Sequence, residues 1–137
     1  MKLSELDAEL VRFETKRELV DVCPPEFADR FDAWQAAGCP TNQVERDRDY
    51  LVAVRSLAEA QAIELECPKC RGHHVLVAFA GRGVLDHQGS RNSAGQPTRW
   101  QIVSGTGLSD LTLSPSIDCT PSNPNCWHGF ITNGEAT

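Results

Sequence analysis

Two cysteines separated by two residues constrain this chain more than any other feature of its sequence. Cys67 and Cys70 enclose a proline and a lysine, and Gly72 follows shortly afterwards. Two thiolates at this spacing can bind one tetrahedral ion while the backbone between them turns tightly around it. Because such a site takes about four donors, other cysteines or histidines must return to this turn. The pair therefore predicts a zinc site that ties distant parts of the chain together.

The remaining ligands are expected in the segment just after the turn and in a loop near the C-terminus. The candidates to join Cys67 and Cys70 are His73, His74, Cys119, Cys126 and His128. We predict that the zinc ligands are Cys67, Cys70, His74 and Cys126. The fourth position stays open, because Cys119, His128 or a water molecule could take the place of Cys126. A redox pair is the main alternative, but it favours a cysteine at the start of a helix, whereas a strand is predicted to follow this turn.

Composition and charge exclude several classes of partner. The 137 residues carry a formal net charge of −6, which repels nucleic-acid phosphates, so no nucleic-acid partner is expected. No apolar stretch is long enough to cross a bilayer, and the polar N-terminus lacks the apolar segment of a secretory signal. We therefore expect a cytoplasmic protein without a membrane partner. Its six cysteines would be ligands or free thiols rather than disulfides, unless a signal has been removed. The oligomeric state stays undetermined.

Residues 1–62 are predicted to be a mostly helical region. Apolar residues recur there at intervals of three and four, as on one face of a helix. Three such stretches carry this pattern: Leu6, Leu10 and Phe13; Phe27, Phe31 and Trp34; and Leu51, Val54, Leu57 and Ala58. The segment Leu19–Cys23 is more typical of a strand, so the first element is ambiguous.

Residues 63–137 are predicted to be a β domain that contains the zinc-binding turn. Ile63 and Leu65 alternate with glutamates, and residues 73–80 form a largely apolar, β-branched run. Further short strands are predicted over 99–104, 111–117 and 129–132. The predicted fold class is α+β, with the helical half packed on a small antiparallel sheet as one compact unit.

A second group of residues suggests acyl-transfer chemistry. Ser114 and Ser116 lie two residues apart in a predicted strand, and His128 opens the next strand after a loop. If these segments pair, the imidazole can take the proton of a serine hydroxyl as its oxygen attacks a carbonyl. We predict Ser116 as the nucleophile ahead of Ser114, His128 as the base, and Asp118 or Asp110 as the group that orients the ring. Alternatively, the serines are turn residues and His128 is a zinc ligand.

The C-terminal half also resembles a family of small bacterial and phage domains first catalogued as having unknown function. The resemblance covers residues 63–137 and rests on a cysteine turn with a trailing histidine, a tryptophan strand, a serine-proline strand and a closing segment. These are Cys67–Cys70, His74, Trp100, Thr112–Ile117, Cys126, His128, Ile131 and Gly134. The spacing between the last cysteine and the histidine varies within the family. One branch accompanies ubiquitin-like conjugation genes in bacterial defence operons and is regarded as a peptidase, while some phage relatives carry the misleading name ammonia monooxygenase.

Two functions follow as expectations. The first is a zinc-containing hydrolase, a Ser/His peptidase or isopeptidase that acts on a peptide or a ubiquitin-like tail in a bacterial cell. A variant puts the chemistry on a zinc-bound water with Glu66 as the base. The second is a non-enzymatic, zinc-stabilised protein-binding module of phage or prophage origin, in which Phe27, Phe31 and Trp34 supply a partner surface.

Overall fold

The structure, a computed structural model, describes residues 1–121 and 123–137 and is built mainly from strands. Its strands are β1 (Glu9–Val22), β2 (Asn42–Ala53), β3 (Ala62–Glu66), β4 (His74–Ala78), β5 (Gln101–Ser104), β6 (Thr112–Ser114), β7 (Ile117–Asp118), β8 (His128–Gly129), β9 (Ile131–Thr132) and β10 (Glu135–Ala136). Within that part of the chain, the only α-helix is α1 (Phe31–Ala36). No helix in the described ranges is both long and apolar enough to cross a membrane.

The predicted α+β fold with a helical N-terminal half is therefore wrong. Two long strands, β1 and β2, occupy most of residues 1–62, and the third predicted helix is replaced by the end of β2 and a 3-10 turn at Leu57–Glu59. Only the second apolar stretch contains a helix, α1, which ends before Gly38 at a φ of 87°.

Contacts divide the chain into two units, one formed by residues 1–13 and 51–137 and the other by residues 14–50. In the smaller unit, the paired parts of β1 and β2 are rich in charged residues. Arg17 bonds to Glu45 at 3.2 Å and to Asp47 at 3.3 Å, and the Tyr50 hydroxyl donates to Glu18. Such cross-strand pairs allow residues with weak strand preference to form a ladder.

The larger unit contains β3 and β4, the last two strands of a sheet with the order β2-β1-β3-β4. β3 pairs antiparallel with both β1 and β4, and Glu66 is opposite His74 in the second pair. Ile63 and Leu65 are fully buried, whereas Glu64 and Glu66 are partly exposed. This alternation matches the predicted strand and directs the following residue, Cys67, to the buried face.

The C-terminal strands cover this buried face. β5 pairs with β6, β7 with β8, and β9 with β10, each in antiparallel orientation. Leu111, Leu113, Ile117 and Ile131 are buried in one core with Leu65, Val77 and Phe79. Predicted strands over 63–65, 73–80 and 99–104 are confirmed by β3, β4 and β5. The predicted strand 111–117 is divided into β6 and β7 around Pro115, as expected for a residue without an N–H donor.

Gly134 closes the turn between β9 and β10 in a conformation that suits glycine. Its φ is 77°, its N–H donates to the Leu111 carbonyl at 2.9 Å, and its carbonyl accepts the N–H of Leu3 at 2.9 Å. A Cβ at this position would lie 2.3 Å from the Ser109 carbonyl oxygen. The turn therefore requires both a left-handed backbone and the absence of a side chain.

We expect Gly134→Ala to lower the free energy of unfolding by about 2 kcal/mol or more, because strain and overlap with Ser109 act together. Urea denaturation measures this change. Gly107→Ala is the control, since a Cβ on Gly107 would meet no atom within 4 Å in the described structure. Equal losses for the two variants would contradict the assignment.

Candidate metal centre and neighbouring cleft

The turn between β3 and β4 brings a cysteine and a histidine together. The N–H of Cys67 donates to the His73 carbonyl at 2.9 Å, which extends the β3–β4 ladder by one pair. Arg71 donates its N–H to the Cys67 carbonyl at 2.9 Å and has a φ of 56°, so the chain reverses tightly between the two strands. As a result, Cys67, Cys70 and His73 lie at one end of the sheet.

Cys126 completes the cluster from the C-terminal loop. The metal-binding atoms of Cys67, Cys70, His73 and Cys126 all lie within 4.8 Å of one another, and these residues could hold a metal ion. Cys67 Sγ is 3.6 Å from Cys126 Sγ, and Cys126 Sγ is 3.4 Å from His73 Nε2. Cys67 and Cys126 are buried, whereas Cys70 is partly exposed and His73 is exposed.

These separations fit a tetrahedral site. With zinc–sulfur bonds of about 2.3 Å, two sulfurs of a tetrahedron lie about 3.8 Å apart, and a sulfur and a nitrogen lie slightly closer. The observed 3.6 Å and 3.4 Å are close to these values. Three thiolates and one imidazole are also a common ligand set of closed, structural zinc sites. These four residues therefore form a ligand set that could hold a metal ion such as zinc.

The structure brings three of the four predicted metal ligands together but does not include His74. Its Nδ1 lies 3.3 Å from Glu64 Oε1, and the imidazole in the cluster belongs to His73. The alternation of β3 could have indicated His73. Cys67 shares a face with Leu65, and the residue opposite Cys67 across the turn is His73. Glu66, the base of the metal-bound water variant, instead pairs with Arg71 at 2.9 Å.

The pKa values of Cys67 and Cys70 are shifted in opposite directions. Burial opposes ionisation of Cys67, but hydrogen bonds from the N–H groups of Cys70 and Lys69 outweigh it, and its pKa is lowered. Desolvation, together with hydrogen bonds to Cys126 and Cys67, raises the pKa of Cys70 to about 11. Charge repulsion from Cys126 and Cys67 raises the pKa of Cys70 further, by a smaller amount, and a bound divalent cation would favour the thiolate form.

Cys119 lies near the cluster but outside it. Its thiol is half-buried against the core, and burial, followed by the charge of Cys126, raises its pKa to about 12. A thiol with this pKa is neutral at physiological pH and behaves as a small apolar side chain. It is thus a natural comparison for the cluster cysteines.

The structure also brings Ser116 and His128 together. Ser116 Oγ lies 3.2 Å from His128 Nε2, and β7 pairs with β8 so that Asp118 is directly opposite His128. Ser116 is partly buried, and its carbonyl accepts a hydrogen bond of 3.2 Å from Trp100 Nε1. Ser114 is exposed at the end of β6. Of the two predicted serines, Ser116 is therefore the one in contact with the imidazole.

Asp118 is held by the chain beside it. Its Oδ1 accepts hydrogen bonds from the Thr120 N–H at 2.9 Å and the Thr120 hydroxyl at 2.6 Å. These bonds lower the pKa of the Asp118 carboxyl, and the charge of His128 lowers it by a smaller amount. A fixed negative charge therefore lies across the ladder from the imidazole. The other predicted carboxylate, Asp110, instead caps the turn at Thr106 and Gly107.

A cleft of about 840 Å³ lies next to both groups. Its lining includes the start of β4, from His73 to Leu76, together with Ser116 and Asp118. Cys126 also lines it, so the metal cluster borders the cleft. This volume is typical of sites for small molecules or short chain segments.

Comparisons with protein-family models, with curated proteins and with solved structures found no match to this chain.

Proposed function

We propose that this protein is a zinc-stabilised hydrolase that cleaves peptide or isopeptide bonds, with Ser116 as the nucleophile and His128 as the general base. The observation that carries the proposal is the 3.2 Å contact between Ser116 Oγ and His128 Nε2 beside an open cleft. A nucleophile and a base within hydrogen-bond reach are the minimum arrangement for covalent acyl transfer. His128 is outside the metal cluster, so its imidazole stays available for proton transfer.

In the first step, Ser116 Oγ bonds to the substrate carbonyl carbon while its proton passes to His128 Nε2. The imidazolium then gives that proton to the leaving amine as the carbon–nitrogen bond breaks, which leaves an acyl ester on Ser116. Water releases the acyl group by the same route in reverse and restores the hydroxyl. The charge of Asp118 across the ladder stabilises the imidazolium in both steps.

Zinc has a structural role in this proposal. Cys67, Cys70, His73 and Cys126 would supply four ligands, and the ion would supply cross-linking rather than an activated water. The ion would join the β3–β4 turn to the loop that precedes His128. The position of His128 relative to the cleft would then depend on the bound ion.

The proposed substrate class follows from the resemblance to bacterial and phage domains. A peptidase that accompanies ubiquitin-like conjugation would act in the bacterial cytoplasm on the carbonyl group that ends a ubiquitin-like tail. The cleft beside Ser116 supports this idea, since an extended tail needs an open surface rather than an enclosed cavity.

A fluorophosphonate probe tests the proposed chemistry. The Ser116 oxygen should displace fluoride from phosphorus, and mass analysis of digested protein should locate the adduct on Ser116. Denatured protein controls for nonspecific reaction. The proposal would be contradicted if the folded, metal-containing protein were not labelled, or if the label were found on other serines.

One observation favours the second candidate function, a non-enzymatic binding module. In the unit of residues 14–50, Phe31 is 64% exposed and Leu19 is 65% exposed, although Trp34 is more covered. Exposed large apolar side chains often mark partner surfaces. A protein that retains its metal but never reacts with the probe would fit this function better.

A further inference from the structure

The strand β4 has an unpaired edge inside the cleft. β4 is the last strand of the order β2-β1-β3-β4. On its β3 side, Phe79 donates its N–H to the Gln61 carbonyl at 2.8 Å, and His73 accepts from Cys67 at 2.9 Å. Because backbone groups alternate in direction along an antiparallel strand, His74 and Leu76 turn their N–H and C=O groups the other way.

No backbone bond to these outward groups occurs among residues 1–121 and 123–137. Further along, the same edge is already paired, since the Ala78 carbonyl accepts the Trp100 N–H at 2.9 Å. The unpaired stretch therefore covers His74 and Leu76, the part of β4 that lines the cleft.

Two connections link this edge to the segments that contain Ser116 and His128. At one end, His73 Nε2 lies 3.4 Å from Cys126 Sγ, in the loop that leads to His128. At the other end, Trp100 is bonded through its backbone to Ala78 and through its indole N–H to the Ser116 carbonyl at 3.2 Å. The edge and the serine thus line the same cleft, and they are connected through Trp100 and through the loop that contains Cys126.

We propose that the substrate binds as an added β-strand along His74 and Leu76, so that the enzyme recognises an extended peptide backbone. An unpaired strand edge satisfies the N–H and C=O groups of an extended chain, and side-chain pockets are a secondary source of affinity. The substrate is accordingly an unfolded peptide segment or a flexible tail rather than the folded surface of a protein. This inference rests on the proposed function for its account of cleavage.

The test begins with selection of binding peptides. The metal-loaded Ser116→Ala protein, which cannot form the acyl ester, selects from a displayed library of random peptides long enough to pair with the unpaired stretch of β4. The selected peptide is then synthesised with a single N-methyl group at each successive residue. Strand addition predicts affinity losses of about tenfold at every second residue and small changes between them. Failure to select any peptide, or losses without alternation, would overturn the inference.

A matched pair of variants tests the protein side. Leu76→Pro removes the outward N–H and leaves the β3 ladder intact, because the N–H of Leu76 does not face β3. Leu76→Ala removes the same side chain but keeps the N–H. We expect affinity for the selected peptide to be about tenfold weaker in Leu76→Pro than in Leu76→Ala. Equal affinities in two metal-containing, folded variants would overturn the inference, and the N-methyl series decides if Leu76→Pro does not fold.

These measurements separate the two proposals. Alternating N-methyl sensitivity in Ser116→Ala, with no cleavage of the peptide by the wild type, would overturn the hydrolase and keep the strand-addition site. Cleavage by the wild type, with no alternation, would do the opposite.

Discussion

Replacement of Cys126 by serine is expected to remove the bound metal and to loosen the loop that carries His128. Cys126 Sγ is the metal-binding atom that this loop contributes. It lies 3.6 Å from Cys67 Sγ and 3.4 Å from His73 Nε2. A serine hydroxyl is a poor zinc ligand, and structural zinc sites contribute roughly 10 kcal/mol or more of apparent binding free energy. Metal analysis of protein purified without chelator should give about one zinc per chain for the wild type and almost none for Cys126→Ser. Urea denaturation should show a lower midpoint for the variant.

Two comparisons between neighbouring residues show whether the loss of metal is specific to the proposed ligands. Cys119→Ser changes a half-buried cysteine close to the cluster but outside it, and it should retain the metal. His73→Ala should lose or weaken metal binding, whereas His74→Ala should not, because His74 contacts Glu64 instead. Full metal content in Cys126→Ser, or greater loss in His74→Ala than in His73→Ala, would contradict the Cys3His cluster. A metal other than zinc would contradict the proposed identity of the ion alone.

The position of the metal centre could be predicted from sequence better than its composition. The pair Cys67 and Cys70 marks a turn by spacing alone, and Cys126 is a cysteine in a loop rich in turn residues. The choice between His73 and His74 depends on the face to which each side chain points. In residues 73–80 every side chain after the two histidines is apolar, so this strand shows no polar alternation of its own. The needed information lies in the alternation of Ile63–Glu66 on the partner strand.

The N-terminal half could not be predicted from local pattern because its strands are stabilised by distant pairs. Arg17 contacts Glu45 and Asp47 across the hairpin, and Lys16 and Arg48 lie over the Tyr50 ring at 5.4 and 5.3 Å. Charged residues of this kind are also good helix formers, and a few apolar residues at intervals of three or four complete a false helical pattern. Tertiary pairing outweighs local preference here.

The serine–histidine contact was accessible to sequence reasoning because it depends on a short connection. β7 and β8 are separated by one loop, and their pairing aligns Asp118 with His128. The sequence does not reveal the Trp100 bond to the Ser116 carbonyl, or the unpaired edge of β4, since both depend on the arrangement of non-neighbouring strands. The contact between neighbouring strands could therefore be predicted from sequence, whereas the unpaired edge of β4 could not.

Loss of the Ser116 hydroxyl is expected to have the largest effect on activity. We expect Ser116→Ala to reduce the hydrolysis of p-nitrophenyl acetate by about a thousandfold or more, because no other hydroxyl contacts His128 Nε2 in the described part of the chain. His128→Ala should cause a similar loss. If the two residues act as one unit, the double variant should be no slower than either single variant.

Ser114→Ala is the matched control for this prediction. It removes the same hydroxyl from an exposed residue at the end of β6, two positions away in the sequence, and should leave the rate close to that of the wild type. Each variant is assayed only after metal content and the urea midpoint show that it retains the native structure. A rate in Ser116→Ala equal to that of Ser114→Ala would remove the proposed nucleophile. Effects of Ser116→Ala and His128→Ala that multiply in the double variant would show that the two side chains contribute independently, which a shared proton transfer does not allow.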